Sequence, residues 1–123
     1  LEFKEKSILK NWVAPKDELL PDFIIGGAMK SGTSSLHQIL DSHPDIFIPD
    51  RELHFFNMDC LIQHEGFHHY NESKDVWTAQ TMHSDPDSMW NWYQSKFQGK
   101  EGLVKGEDST TYLASAIAAE RIA

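Results

Sequence analysis

At 123 residues, with 40% apolar and 24% charged side chains, the chain has the composition of an ordinary soluble globular protein and the length for one core. Nineteen acidic against eleven basic residues give a net charge of −8, a field that repels nucleic acids and polyanionic glycans, so any anion site must be local. The single cysteine, Cys60, excludes an internal disulfide framework, and no apolar run approaches the roughly 18 residues of a membrane span.

Residues 1–21 mix Lys and Glu with Ile8, Leu9, Trp12 and Val13 before Pro15 and Pro21. This pattern predicts an irregular or briefly helical lead-in whose apolar residues pack over a sheet edge. Residues 22–49 form the organising unit. Phe23-Ile24-Ile25 reads as a buried strand, Gly26 to Gly32 as a glycine-rich loop, and Thr33 to Leu40 as a helix. Leu36, Ile39 and Leu40 stand three and four apart, which predicts an apolar face laid against the sheet. A helix start carries unpaired N–H groups and a partial positive charge, and glycines let backbone wrap an anion closely, so the geometry suits a phosphate or sulfate. Lys30 adds a full charge, and Ser31, Thr33, Ser34 and Ser35 add hydroxyl donors around Gly32. Asp41 to Asp45 is turn chemistry around Pro44, and Ile46-Phe47-Ile48 is a second strand that completes a βαβ unit.

Residues 50–99 follow the second strand, at the carboxyl end where ligands of open α/β sheets gather. Glu52 and His54, two apart, can share a face beside Arg51, with Phe55 and Phe56 behind them to screen water, and we read Glu52 as functional. Cys60 to Asp87 shows no clear period. His64 and His68 have the spacing of metal ligands on a helix, but neither an HExxH arrangement nor clustered cysteines accompany them, and no metal is expected. Ser84-Asp85-Pro86-Asp87 signals a helix start, and the helix carries Met89, Trp90, Trp92, Tyr93 and Phe97 until Gly99. Such an aromatic stripe reads as core, with sugar stacking by a tryptophan as the second reading. Residues 102–123 read as a strand over Gly102 to Gly106, a loop from Glu107 to Thr111, and a helix from Tyr112 to Ala123.

The loop lysine decides between phosphate chemistries. The triphosphatase pattern GxxxxGK[ST] would run from Gly27 to Gly32 but then meets Thr33 where lysine is required. Lys30-Ser31-Gly32-Thr33-Ser34 instead resembles the 5′-phosphosulfate loop of the sulfotransferases that use 3′-phosphoadenosine 5′-phosphosulfate (PAPS). Arg51-Glu52-Leu53-His54-Phe55-Phe56 is similar to the Lys-Glu-x-His-Phe-Phe element of the carbohydrate branch of that family. Gly106 to Leu113 is similar to its Gly-Glu-Lys-[Ser/Thr]-Pro-x-Tyr segment, with Asp108 in place of the lysine and Thr110 in place of the proline.

The resemblance implies an α/β, three-layer P-loop-like fold with a central parallel β-sheet flanked by helices, here truncated to the N-terminal part of one domain over residues 1–123. It implies PAPS as co-substrate, 3′-phosphoadenosine 5′-phosphate (PAP) as product, and no metal. Glu52 would take the acceptor proton, with His54 sharing that role or orienting the acceptor. Lys30 would neutralise the oxygen between sulfur and phosphate, and Ser31, Gly32, Thr33, Ser34 and Ser35 would hold the 5′-phosphate. Arg51, His54, Asp108 and Ser109 would meet the acceptor, a sugar, glycolipid or small hydroxylated molecule, with no nucleic acid as partner. The residues for the 3′-phosphate are expected beyond residue 123. A cytoplasmic location is expected for the chain as given, and the Golgi lumen if an anchor precedes it. The alternatives are a P-loop nucleotide kinase or triphosphatase, and an inactive nucleotide- or glycan-binding fragment.

Overall fold

The computed structural model describes residues 12–15, 19–60, 64, 69–71, 73, 76–78 and 85–123. Strand β1 (Phe23–Ile25) leads through the glycine-rich loop into helix α1 (Thr33–Asp41), and β2 (Ile46–Phe47) follows. The hairpin strands β3 (His69–Asn71) and β4 (Val76–Thr78) precede helix α2 (Pro86–Ser95), strand β5 (Val104–Asp108) and helix α3 (Ala116–Ile122). The result is an α/β fold with a small parallel sheet and flanking helices, as the sequence predicts.

The sheet order is β1-β5-β2, all parallel, so β5 lies between the two strands of the βαβ unit. Phe23 pairs with Gly106, Ile24 with Glu107 and Ile25 with Asp108. A Cβ on Gly106 would lie 2.1 Å from the Phe23 ring, so glycine at this position lets the ring cross the neighbouring strand. This register carries β5 two residues past the predicted end at Gly106. Glu107 and Asp108 therefore belong to the strand and not to a loop.

The loop after β1 is fastened to the turn after β5. The Leu113 N–H donates to the Gly26 carbonyl at 2.7 Å, and a Cβ on Gly27 (φ 141°) would stand 2.8 Å from the Thr110 carbonyl oxygen. Only glycine fits that approach.

Helix α1 is rotated away from the predicted stripe. Thr33 is buried and His37 and Leu40 are half-buried, whereas Leu36 is 44% and Ile39 67% exposed. A polar pair from His37 to β5, described below, sits where an apolar face was expected. The predicted continuous helix over Tyr112 to Ala123 is likewise broken. A 3-10 turn covers Tyr112–Ala114, Ser115 is extended, and its hydroxyl caps α3 by accepting the Ala118 N–H at 3.0 Å.

The core joins the segment after β2 to α2. Phe55 stacks on Tyr93 at 4.9 Å and packs against Trp90 at 5.4 Å, while Phe56 meets Tyr93 and Tyr112 edge-on. Trp12 of the lead-in lies on Phe55 and Trp90 and so packs on this aromatic cluster, while Ile8 and Leu9 lie outside the described residues. The predicted start of α2 is present: Asp85 accepts the Ser88 N–H at 3.1 Å and Pro86 occupies the first turn. The β3–β4 hairpin is a feature that the sequence reading left without structure.

Among the described residues no helix is long and apolar enough to cross a membrane.

Candidate active site

A cavity of about 660 Å³ opens where the glycine-rich loop, the first turns of α1, the segment after β2 and the end of β5 converge. The parallel register sets this convergence, because β1, β2 and β5 all release their chains at the same end of the sheet. Lys30 enters the wall from a left-handed residue (φ 57°), and Gly32 (φ 88°) turns the chain into α1. No side chain caps α1, so its first-turn N–H groups, Lys30, Thr33 and Ser34 together fit a phosphate-type anion. Ser31 and Ser35 are exposed and outside the cavity wall, and the Ser31 hydroxyl turns back to the Ala28 carbonyl.

On the other side of the cavity stand Glu52, Asp108 and Thr110. Glu52 Oε1 accepts the Thr110 N–H at 2.6 Å, and its Oε2 lies 3.6 Å from His54 Nε2. Partial burial pushes the Glu52 carboxyl up, but the Thr110 hydrogen bonds and the His54 and His64 charges outweigh it and leave the group below the usual Glu range. For His54, burial dominates and lowers its proton affinity against the pull of Glu52 and Asp108. Asp108 Oδ2 is 3.1 Å from His37 Nδ1. Burial raises the Asp108 carboxyl, the His37 hydrogen bond opposes it, and the Glu52 charge reinforces it. The other oxygen, Oδ1, is buried with no hydrogen-bond partner among the described residues.

Of the residues expected at the site, the structure brings Lys30, Gly32, Thr33, Ser34, Glu52 and Asp108 to one cavity. Arg51 is exposed and lies outside the cavity wall. Ser109, expected at the acceptor, is fully buried; its hydroxyl donates to Glu107 at 2.6 Å and accepts the His54 N–H at 3.0 Å, so it sets the loop and offers no free donor. His54 sits behind Glu52 with Nδ1 3.1 Å from Thr111 Oγ1. The Thr111 hydroxyl receives the Asn57 amide at 3.2 Å, and Asn57 Oδ1 lies 2.8 Å from His64 Nε2. This partly buried polar chain orients His54 from behind.

His64 is thus engaged with Asn57, while His68 lies outside the described residues. Among the described residues no group of three or more His, Cys, Asp or Glu could hold a metal ion. Trp90 is buried under Phe55, and the half-buried Trp92 ring carries Lys96 Nζ at 5.0 Å, so neither tryptophan stands in the cavity wall.

Sequence reasoning missed His37, Asp41 and Asp50 as wall residues. Only His37 had a signal, its position one helical turn after Thr33.

A model of a family described as "Sulfotransferase family" matches residues 21–115, a span that holds the glycine-rich loop, Glu52 and the end of β5.

Proposed function

The chain belongs to the sulfotransferase family, and from that membership and the cavity's make-up we propose that it transfers a sulfuryl group from PAPS to a hydroxyl or amine of a carbohydrate, glycolipid or small-molecule acceptor. The observation that carries this reading is the convergence of Lys30 and the uncapped start of α1 with Glu52 in one cavity. Anion-binding groups stand on one side and a carboxylate on the other, as an in-line displacement at sulfur requires.

In this reading the first-turn N–H groups of α1, with Thr33 and Ser34, hold the 5′-phosphate. Lys30 meets the negative charge that grows on the oxygen between sulfur and phosphorus. Glu52, fixed by Thr110, receives the acceptor proton, with His54 behind it. A carboxylate below its usual range is a weak base, but the bond to Thr110 holds it in one position, and positioning supplies much of the barrier reduction in group transfer. The acids around the acceptor side favour a neutral sugar, an amine or a small hydroxylated molecule over a heavily sulfated glycan. The likeness of residues 51–56 to the carbohydrate branch supports a sugar or glycolipid.

Calorimetric titration of PAP, against ATP with magnesium, tests the donor. Preference for PAP supports the reading. Preference for ATP with magnesium supports a kinase and overturns it.

A further inference from the structure

The cavity wall holds two basic side chains, Lys30 and His37, against four acids, Asp41, Asp50, Glu52 and Asp108. A phosphosulfate carries one negative charge on phosphorus and one on the sulfuryl group, so Lys30 by itself balances half of it. The acids make a second cation more necessary, because they repel the donor.

His37 has the geometry for that role. It lies in α1, four residues after Thr33, and helical side chains lean toward the N-terminus, which brings the imidazole over the turn containing Thr33 and Ser34. Its Nδ1 meets Asp108 Oδ2 at 3.1 Å, so the ring is held from the end of β5. Nε2 has no hydrogen-bond partner among the described residues, and the residue lines the same cavity as Lys30.

Resting on the sulfuryl-transfer reading, we propose that His37, an imidazolium held by Asp108, is the second cation of the donor site and donates its Nε2–H to the sulfuryl oxygens of PAPS. During transfer the bond from sulfur to the bridging oxygen breaks, and its electron pair stays with the 5′-phosphate of PAP. The bond from sulfur to the acceptor forms, and the acceptor proton passes to Glu52. His37 keeps its proton throughout. The charges that face it are Asp108 from β5, Lys30 from the loop, Asp41 from its own helix, and Asp50 and Glu52 from the segment after β2.

PAP has the nucleotide and both phosphates of PAPS but lacks the sulfuryl group, so the two ligands isolate the contact without knowledge of the acceptor. Each is titrated calorimetrically into the natural protein carrying this chain, as wild type and as His37→Gln and Asp108→Asn variants. His37→Gln is expected to lose roughly 10- to 100-fold in PAPS affinity, the worth of a hydrogen bond to a charged group, with PAP affinity within about threefold of wild type. Asp108→Asn is expected to lose PAPS affinity in the same direction. In the wild type, the ¹⁵N resonances of His37 should show both nitrogens protonated with PAPS bound, with Nε2 shifted by PAPS and not by PAP. Equal losses for both ligands, no loss for PAPS, or an Nε2 resonance indifferent to PAPS overturns the proposal and leaves the sulfuryl-transfer reading standing. A wild type that binds neither ligand overturns that reading, and the proposal with it.

Discussion

Glu52 Oε1 accepts the backbone N–H of Thr110 at 2.6 Å, a bond that ties the segment after β2 to the turn after β5 across the cavity. A glutamine at this position keeps a carbonyl oxygen for Thr110 and loses only the charge and the proton affinity. Glu52→Gln is therefore expected to lower the rate of sulfuryl transfer from radiolabelled PAPS by roughly 10²–10⁴-fold, the usual worth of a general base. PAP affinity should stay within about threefold, because the phosphate-binding side is untouched. Glu52→Ala should add a loss of order in the turn at Thr110, visible as faster amide exchange there. A Glu52→Gln form with wild-type turnover would remove Glu52 from the proton transfer.

Glu107 is the polar centre of the core. It is fully buried and accepts three hydroxyl hydrogen bonds, from Tyr93 at 2.7 Å, Tyr112 at 2.7 Å and Ser109 at 2.6 Å. These join α2, β5 and the turn before α3. Glu107→Gln replaces one acceptor oxygen by a donor that faces a hydroxyl, and should cost about 1–3 kcal/mol in urea unfolding. Burial raises the folded-state affinity of Glu107 for a proton above the ordinary value of 4.5, against the three hydroxyls that lower it. A raised carboxyl contributes stability that is fully present below the unfolded value and is lost as pH rises toward the folded one. The stability gap between wild type and Glu107→Gln should narrow as pH rises from about 4.5. A gap that widens over the same range would contradict the sign.

The strand, loop and helix at residues 23–40 were legible because each signal is local: an Ile-Phe run, glycines at the turn, and helical spacing behind them. The place of β5 between β1 and β2 was not, since its pairing joins residues about eighty positions apart, such as Phe23 and Gly106. The same distance hid the relation between His37 and Asp108. In the sequence, Asp108 is an acid standing where the resembled family has a lysine; in the fold, it holds a histidine at the cavity. That pairing also explains the rotation of α1, whose apolar spacing was read correctly as a pattern and wrongly as the buried face. Ser115 is a local signal that the sequence offers, a cap residue immediately before the alanine-rich run Ala116 to Ala119. Ser109 misled the reading for the opposite reason: a hydroxyl in a loop motif looks available until its partners Glu107 and His54 are seen.

Arg121 binds Asp59 through two hydrogen bonds, at 2.7 and 3.2 Å, and donates to the Phe56 carbonyl at 3.0 Å. Asp59 is fully buried and the Arg121 side chain is 10% exposed, so the pair is shielded from water. It anchors α3 to the segment that carries Glu52, and the guanidinium is spent on structure. Arg121→Ala leaves the buried Asp59 carboxylate without its cation and should cost about 3–5 kcal/mol, measured by urea unfolding. Asp59→Asn with Arg121 intact should cost less, because the amide still accepts from the guanidinium and Arg121 keeps the Phe56 carbonyl. Arg121→Lys distinguishes charge from shape. A lysine restores the charge but cannot form the two-pronged contact, so it should recover only part of the loss. Full recovery by lysine would show that charge alone holds α3 in place, and an Arg121→Ala form as stable as wild type would show that the pair contributes nothing.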